Sequence, residues 1–158
     1  MKTFVSSEEV ARLIVKAKAM RRAGQALVVL PIPGVAPYVA LLEYREAATP
    51  PIVHEDDSEL FFVIEGSGTM MLGGTLTDPT RVKLSLSPTG EPLPDDSDKD
   101  KVAHSTTLMG TGAQGGQIFT VSKGELMIVP PHAVHWFNAV NGTLVMVSLH
   151  ATLPRYGR

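Results

Sequence analysis

Apolar residues follow a helical period near the start of the chain and a strand-like pattern after Gly24. Val10, Leu13, Ile14 and Ala17 stand three or four apart, which places them on one face of an α-helix. Ser6, with Glu9 three residues later, forms a capping box ahead of them, and Gly24 supplies the stop. Arg12, Lys16, Lys18, Arg21 and Arg22 occupy the other faces. They read as a solvated surface with cations favourably near the helix C-terminus.

Beyond Gly24 the apolar runs shorten to strand length. Gln25 to Leu30 is followed by the turn Pro31-Ile32-Pro33-Gly34, and Tyr38 to Arg45 by Thr49-Pro50-Pro51. Further runs are Glu59 to Ile64, Gly68 to Leu72, Arg81 to Leu86, Ser105 to Met109, Gln117 to Val121, Glu125 to Val129 and Gly142 to Leu149. Many short strands, separated by Gly and Pro and with no further helix, predict an all-β sandwich or barrel. Asn141-Gly142 reads as a hairpin turn between two of them. The segment from Glu91 to Lys101 holds five acids and two bases and almost nothing apolar, so it reads as a mobile acidic loop inside the domain.

Composition narrows the function classes. The chain has 158 residues, 44% hydrophobic and 19% charged, which suits one domain with a core of its own. A formal charge of −2 removes the broad positive field that nucleic-acid binding requires. The absence of cysteine excludes a disulfide scaffold, thiol catalysis and cysteine-ligated zinc. No secretory leader pattern and no apolar run of membrane-spanning length is present, so the expectation is a cytoplasmic protein without a membrane partner. Gly110 to Gly115 has the form of a dinucleotide fingerprint, but it leads into the strand QIFTV and offers a pyrophosphate no helix N-terminus.

The remaining chemistry lies with five histidines, His54, His104, His132, His135 and His150. His54 closes a Pro-bounded extended segment ahead of Glu59, and His135 follows the double proline of VPPHAVHWFN. The stretches HEDDSELFFVIEGSG and GELMIVPPHAVHWFN resemble the two conserved motifs of the cupin superfamily. In the first, His54, four residues, Glu59, six residues and Gly66 match. In the second, Gly124, five residues, Pro130 and His135 match. The departures are Ile52 at the first histidine of the pair, Glu46 and His132 at two glycine positions, and Ala139 at the asparagine, with Asn138 one place early.

The resemblance implies an antiparallel double-stranded β-helix (jelly-roll) barrel over residues 38–150, with an acidic loop at about 88–103. Residues 1–37 would be a helix and arm strand, and 151–158 a tail. It also implies one divalent transition metal (Fe, Mn, Ni or Zn) held by His54, Glu59 and His135; by side-chain alternation along the strand, Asp56 or His104 is the candidate fourth ligand. Two imidazoles and a carboxylate suit any of these ions. Strand alternation puts Phe61 and Val63 on the same face as Glu59, and puts Ile52, His54 and Asp56 together.

The function expected is a metal-dependent enzyme on a small organic substrate, aromatic ones included, with dioxygenase, isomerase or lyase chemistry. Asp56 and His132 would be its acid/base groups, and Ile52, Phe61, Val63, Phe137 and His104 would line its pocket. The alternative is a non-catalytic barrel that binds a small molecule without metal. In that alternative His132 is an exposed turn residue and His135 a hydrogen-bonded core residue. Trp136, alternating outward from His135, is expected at the barrel mouth or in a dimer contact. The first strand is expected to pair with a second subunit in a homodimer.

Overall fold

The computed structural model describes residues 4–35, 38–84 and 105–152. One helix, α1 (Ser7–Met20), precedes eleven strands: β1 (Leu27–Ile32), β2 (Val39–Arg45), β3 (Ile52–His54), β4 (Asp57–Leu72), β5 (Thr75–Thr77), β6 (Thr80–Leu84), β7 (Ser105–Met109), β8 (Gly112–Gln114), β9 (Gln117–Ser122), β10 (Leu126–Val129) and β11 (His135–Thr152). The acidic segment from Glu91 to Lys101 and His104 lie outside the described residues. No helix among the described residues is long and apolar enough to cross a membrane.

The Ser6 N-cap forms as the sequence predicts, with its hydroxyl accepting from the Glu9 amide. The helix ends four residues before Gly24, on an extended Arg21 whose N–H donates to the Ala17 carbonyl. Its apolar face packs Val10, Leu13, Ile14 and Ala17 against Val28, Leu30, Leu42, Tyr44 and Val145.

Nine strands form one curled sheet in the order β1-β2-β11-β3-β7-β6, with β4 also joining β11, β9 and β10; β5 and β8 pair separately. All these ladders are antiparallel. The two long strands, β4 and β11, run against each other over most of their lengths and bring both ends of β11 to the site.

Each barrel strand divides its residues between two environments. On β11, Val145 faces the helix, whereas Leu144 and Met146 join Phe61, Val63, Met70, Val121, Val129 and Phe137 in the interior. On β2, Leu42 and Tyr44 face the helix, which leaves Glu43 and Arg45 on the opposite face. That pair is buried: Arg45 donates from Nη2 (2.7 Å) and Nε (3.0 Å) to Glu43 Oε2, and its guanidinium carbon lies 4.5 Å from the centre of the Phe137 ring.

Two expectations change. The runs Glu59 to Ile64 and Gly68 to Leu72 are one 16-residue strand rather than two. Asn141-Gly142 is not a hairpin turn but a bulge within β11, between the pairs Asn141–Ser67 and Leu144–Gly66. Gly66 stands opposite it at φ +82°, where an added Cβ would sit 1.7 Å from the Thr143 carbonyl oxygen. Trp136 is engaged within its own chain, donating from the indole to the Thr49 carbonyl at 2.6 Å and packing beside Val53, Met71 and Val134. The first strand pairs with β2 of its own sheet and forms that sheet's end.

Candidate metal centre

Glu59 sits in the first half of β4, where burial alternates: Asp57, Glu59, Phe61 and Val63 are buried, whereas Phe62 is 43% exposed. That alternation turns the carboxylate into the barrel. Three strand segments bring imidazoles to it. His54 comes from the end of β3, and His135 opens β11 in register with Ile52. His150 stands near the other end of β11, in register with Glu59 itself.

The carboxylate is the hub. Its Oε2 lies 3.2 Å from His54 Nε2 and 3.1 Å from His135 Nε2, and its Oε1 lies 3.0 Å from His150 Nε2. The His54 ring centre is 5.2 Å from that of His135 and 5.0 Å from that of His150. Donor atoms of His54, Glu59 and His150 all fall within 4.8 Å of one another, and His135 joins them through Glu59 Oε2.

The far nitrogens decide which atoms remain for a metal. His54 Nδ1 lies 2.9 Å from the Thr107 hydroxyl. His135 Nδ1 lies 3.3 Å from the Ala133 carbonyl, which can only accept, so Nδ1 carries a proton. In the neutral ring Nε2 then presents a lone pair to Glu59 Oε2. Both atoms are buried and neither makes a hydrogen bond. Two acceptors facing each other out of water are unfavourable unless a cation or an extra proton lies between them. The residues present therefore fit a divalent ion: nitrogen and oxygen donors converge, and the outer nitrogens are held so that Nε2 points inward.

Electrostatics agree with the geometry. Burial alone would raise the Glu59 carboxyl, but its contacts with His135, His150 and His54 outweigh it and hold the group well below the usual carboxylate range. For His150 burial acts to lower the imidazole, and the contact with Glu59, aided by Glu43 and Asp57, more than reverses it. Glu59 is thus ionised, the form a metal requires.

The other sequence-derived candidates separate. Phe61 and Phe137 meet edge to face at 5.1 Å in the interior, and Phe61 lies 6.1 Å from the His135 ring. Val63 is fully buried beside them, and Ile52 is half-buried on β3. Asp56 lies in the bend between β3 and β4, half-buried and near Arg81, and is not in the His54–Glu59–His150 donor group. The His132 side chain is exposed, and its backbone N–H donates to the His54 carbonyl at 2.8 Å. Its φ of +64° explains why the resembling motif has glycine there.

Sequence reasoning missed His150 as a ligand candidate, because only the β4–β11 register shows that it faces Glu59. It also missed the buried Glu43–Arg45 pair. An apolar cleft of about 370 Å³ opens between β9 and β10, lined by Met70, Leu72, Val121, Leu126, Met127 and Ile128 among others, and none of its lining residues is a member of the His/Glu group.

Comparison with known proteins agrees with this architecture. The family described as Cupin matches residues 34–155. No curated protein matches the chain in sequence. Among solved structures, the cupin domain of Cnp3 from Schizosaccharomyces pombe is similar at 13% identity and a TM-score of 0.50, over 86% of this chain and 72% of that one. The plu4264 protein from Photorhabdus luminescens is similar at 14% identity and a TM-score of 0.47, over 95% and 88%. Hydroxypropylphosphonic acid epoxidase from S. wedmorenis is similar at 15% identity and a TM-score of 0.49, over 80% of this chain and 51% of that one. The chain thus spans about half the length of that last protein.

Proposed function

The chain belongs to the cupin family, and from that premise we propose that it holds one divalent metal ion through Glu59 with His54, His135 and His150 and acts on a small organic molecule at that ion. The observation that carries this reading is the pair of buried acceptors, His135 Nε2 and Glu59 Oε2, facing each other at 3.1 Å without a hydrogen bond. His150 takes over the role that the apolar Ile52 leaves open, entering from β11 instead of β3.

A bound divalent ion would polarise an oxygen of the substrate or lower the pKa of a bound water. The chain's own residues do the positioning. Thr107 and the Ala133 carbonyl hold the outer nitrogens of His54 and His135, and the His132 amide ties down the His54 backbone. Phe61 and Phe137 exclude water from the side of the cluster that faces the barrel interior. We assign the chemistry to dioxygenase, isomerase or lyase type, with water or substrate using positions on the ion that the four side chains leave open.

One observation favours a second reading, a metal-free binding barrel. The Glu59 carboxyl, held well below the usual carboxylate range, lies 3.0 Å from the His150 imidazole, whose pKa the same contact raises, and a buried ion pair of the two would neutralise itself. Elemental analysis of untagged protein separates the two. Close to one transition-metal ion per chain in wild type, lost in Glu59→Gln, supports the metal reading; no metal in wild type after purification with added Fe, Mn, Ni and Zn supports the metal-free barrel.

A further inference from the structure

Two of the three imidazoles around Glu59 have their outer nitrogen held by the protein, His54 by Thr107 and His135 by the Ala133 carbonyl. The third differs: His150 Nδ1 is buried and has no hydrogen-bond partner among the described residues. A metal-ligating histidine almost always has its other nitrogen engaged, because that contact fixes the tautomer and the ring orientation. The same stretch of β11 carries a second orphan. Ser148 is fully buried, and its hydroxyl also has no partner among the described residues.

The two belong to one face. Leu144 and Met146 point into the interior, and alternation continues through Ser148 to His150, which reaches Glu59. Residues two apart on a strand have their Cα atoms about 6.8 Å apart, and no direct bond joins the serine hydroxyl and the imidazole nitrogen. One water at about 2.8 Å from each polar atom bridges a separation of up to about 5.6 Å between Oγ and Nδ1. Of the other carboxylates near His150, Glu43 is engaged by Arg45, and neither Glu43 nor Asp57 bonds Nδ1.

We propose that Ser148 is the positioning residue for His150, acting through one buried water that accepts from Nδ1–H and donates to Ser148 Oγ. With Nδ1 protonated, Nε2 keeps its lone pair for a metal, so the serine decides whether His150 serves as the fourth ligand. This inference rests on the metal reading above.

Two measurements test it on the full chain. In a high-resolution crystal structure of metal-free wild type, one water is expected within hydrogen-bond distance of both atoms; clear density with no water there overturns the link. In a cobalt(II) titration followed by visible absorption, Ser148→Ala is expected to weaken binding roughly 10- to 100-fold. In a His150→Ala background the same substitution should change nothing further. A merely structural serine would shift the melting temperature without that dependence on His150, and cobalt affinity unchanged in Ser148→Ala overturns the proposal. Wild type that takes up no cobalt contradicts the metal reading instead, and the water density then decides the Ser148–His150 link.

Discussion

Replacing Gly66 by alanine tests the crossing of the two long strands, on which the position of His150 depends. Gly66 has φ +82°, and a Cβ there would lie 1.7 Å from the Thr143 carbonyl oxygen and 3.2 Å from the Leu144 Cα. An L-residue in the left-handed region costs about 1–2 kcal/mol. Relieving backbone overlap adds about 1–3 kcal/mol by analogy with overpacked cores. The sum is a loss of about 2–5 kcal/mol. Gly142, across the bulge at φ +74°, has nothing within 4 Å of its added Cβ, so Gly142→Ala meets only the conformational cost of about 1–2 kcal/mol.

Urea unfolding of both variants, in chelator and with the slope compared, measures the difference directly. At about 2–4 °C per kcal/mol for a chain of this size, Gly66→Ala melts roughly 4–20 °C below wild type and Gly142→Ala at most about 8 °C below. Equal losses in the two variants would refute the close approach of Gly66 to Thr143, and with it the register that sets His150 opposite Glu59.

Three further outcomes follow from the same geometry. His132→Gly relieves the φ of +64° at an exposed side chain, so it should gain up to about 1 kcal/mol in urea unfolding with metal content unchanged; a loss of stability contradicts that reading. Arg45→Met alone leaves Glu43 buried and uncompensated and should cost about 3–5 kcal/mol, whereas Glu43→Leu with Arg45→Met should return to within about 1 kcal/mol of wild type. For the metal-free protein, the lowered Glu59 carboxyl contributes stability above its unfolded pKa, near 4.5, which is lost as pH falls through its folded value. The raised His150 imidazole contributes stability that is full below its unfolded value of 6.5 and lost as pH rises through its folded value. Thermal melts should therefore show greatest stability between those limits, with the alkaline decline flattened in His150→Ala.

What was legible in the sequence was local or periodic. The Ser6–Glu9 box needs only a few residues to define a helix start, and the alternation of Glu59, Phe61 and Val63 needs only the strand period. Motif spacing brought His54, Glu59 and His135 together on paper, and the structure sets both imidazoles against the carboxylate. What escaped was pairing between distant segments. His150 became a candidate only because β11 places it opposite Glu59, and nothing within Gly142 to Leu149 shows that register. The Asn141-Gly142 pair looked like a turn because the matching Gly66, 76 residues earlier, converts it into a bulge. Glu43 and Arg45 shared a strand face by parity, but which face turned inward depended on where the helix docked. Three-residue strands such as β3, β5 and β8 are too short to show any period.

The central claim is that Glu59, His54, His135 and His150 share one ion. An anomalous-difference map of zinc-loaded crystals, collected at the zinc edge, tests it most directly. The account predicts a single strong peak with the Glu59 carboxylate oxygen and the three Nε2 atoms each at about 2.0–2.2 Å. A map with no peak at Glu59, or a peak that leaves His150 turned away, would contradict it.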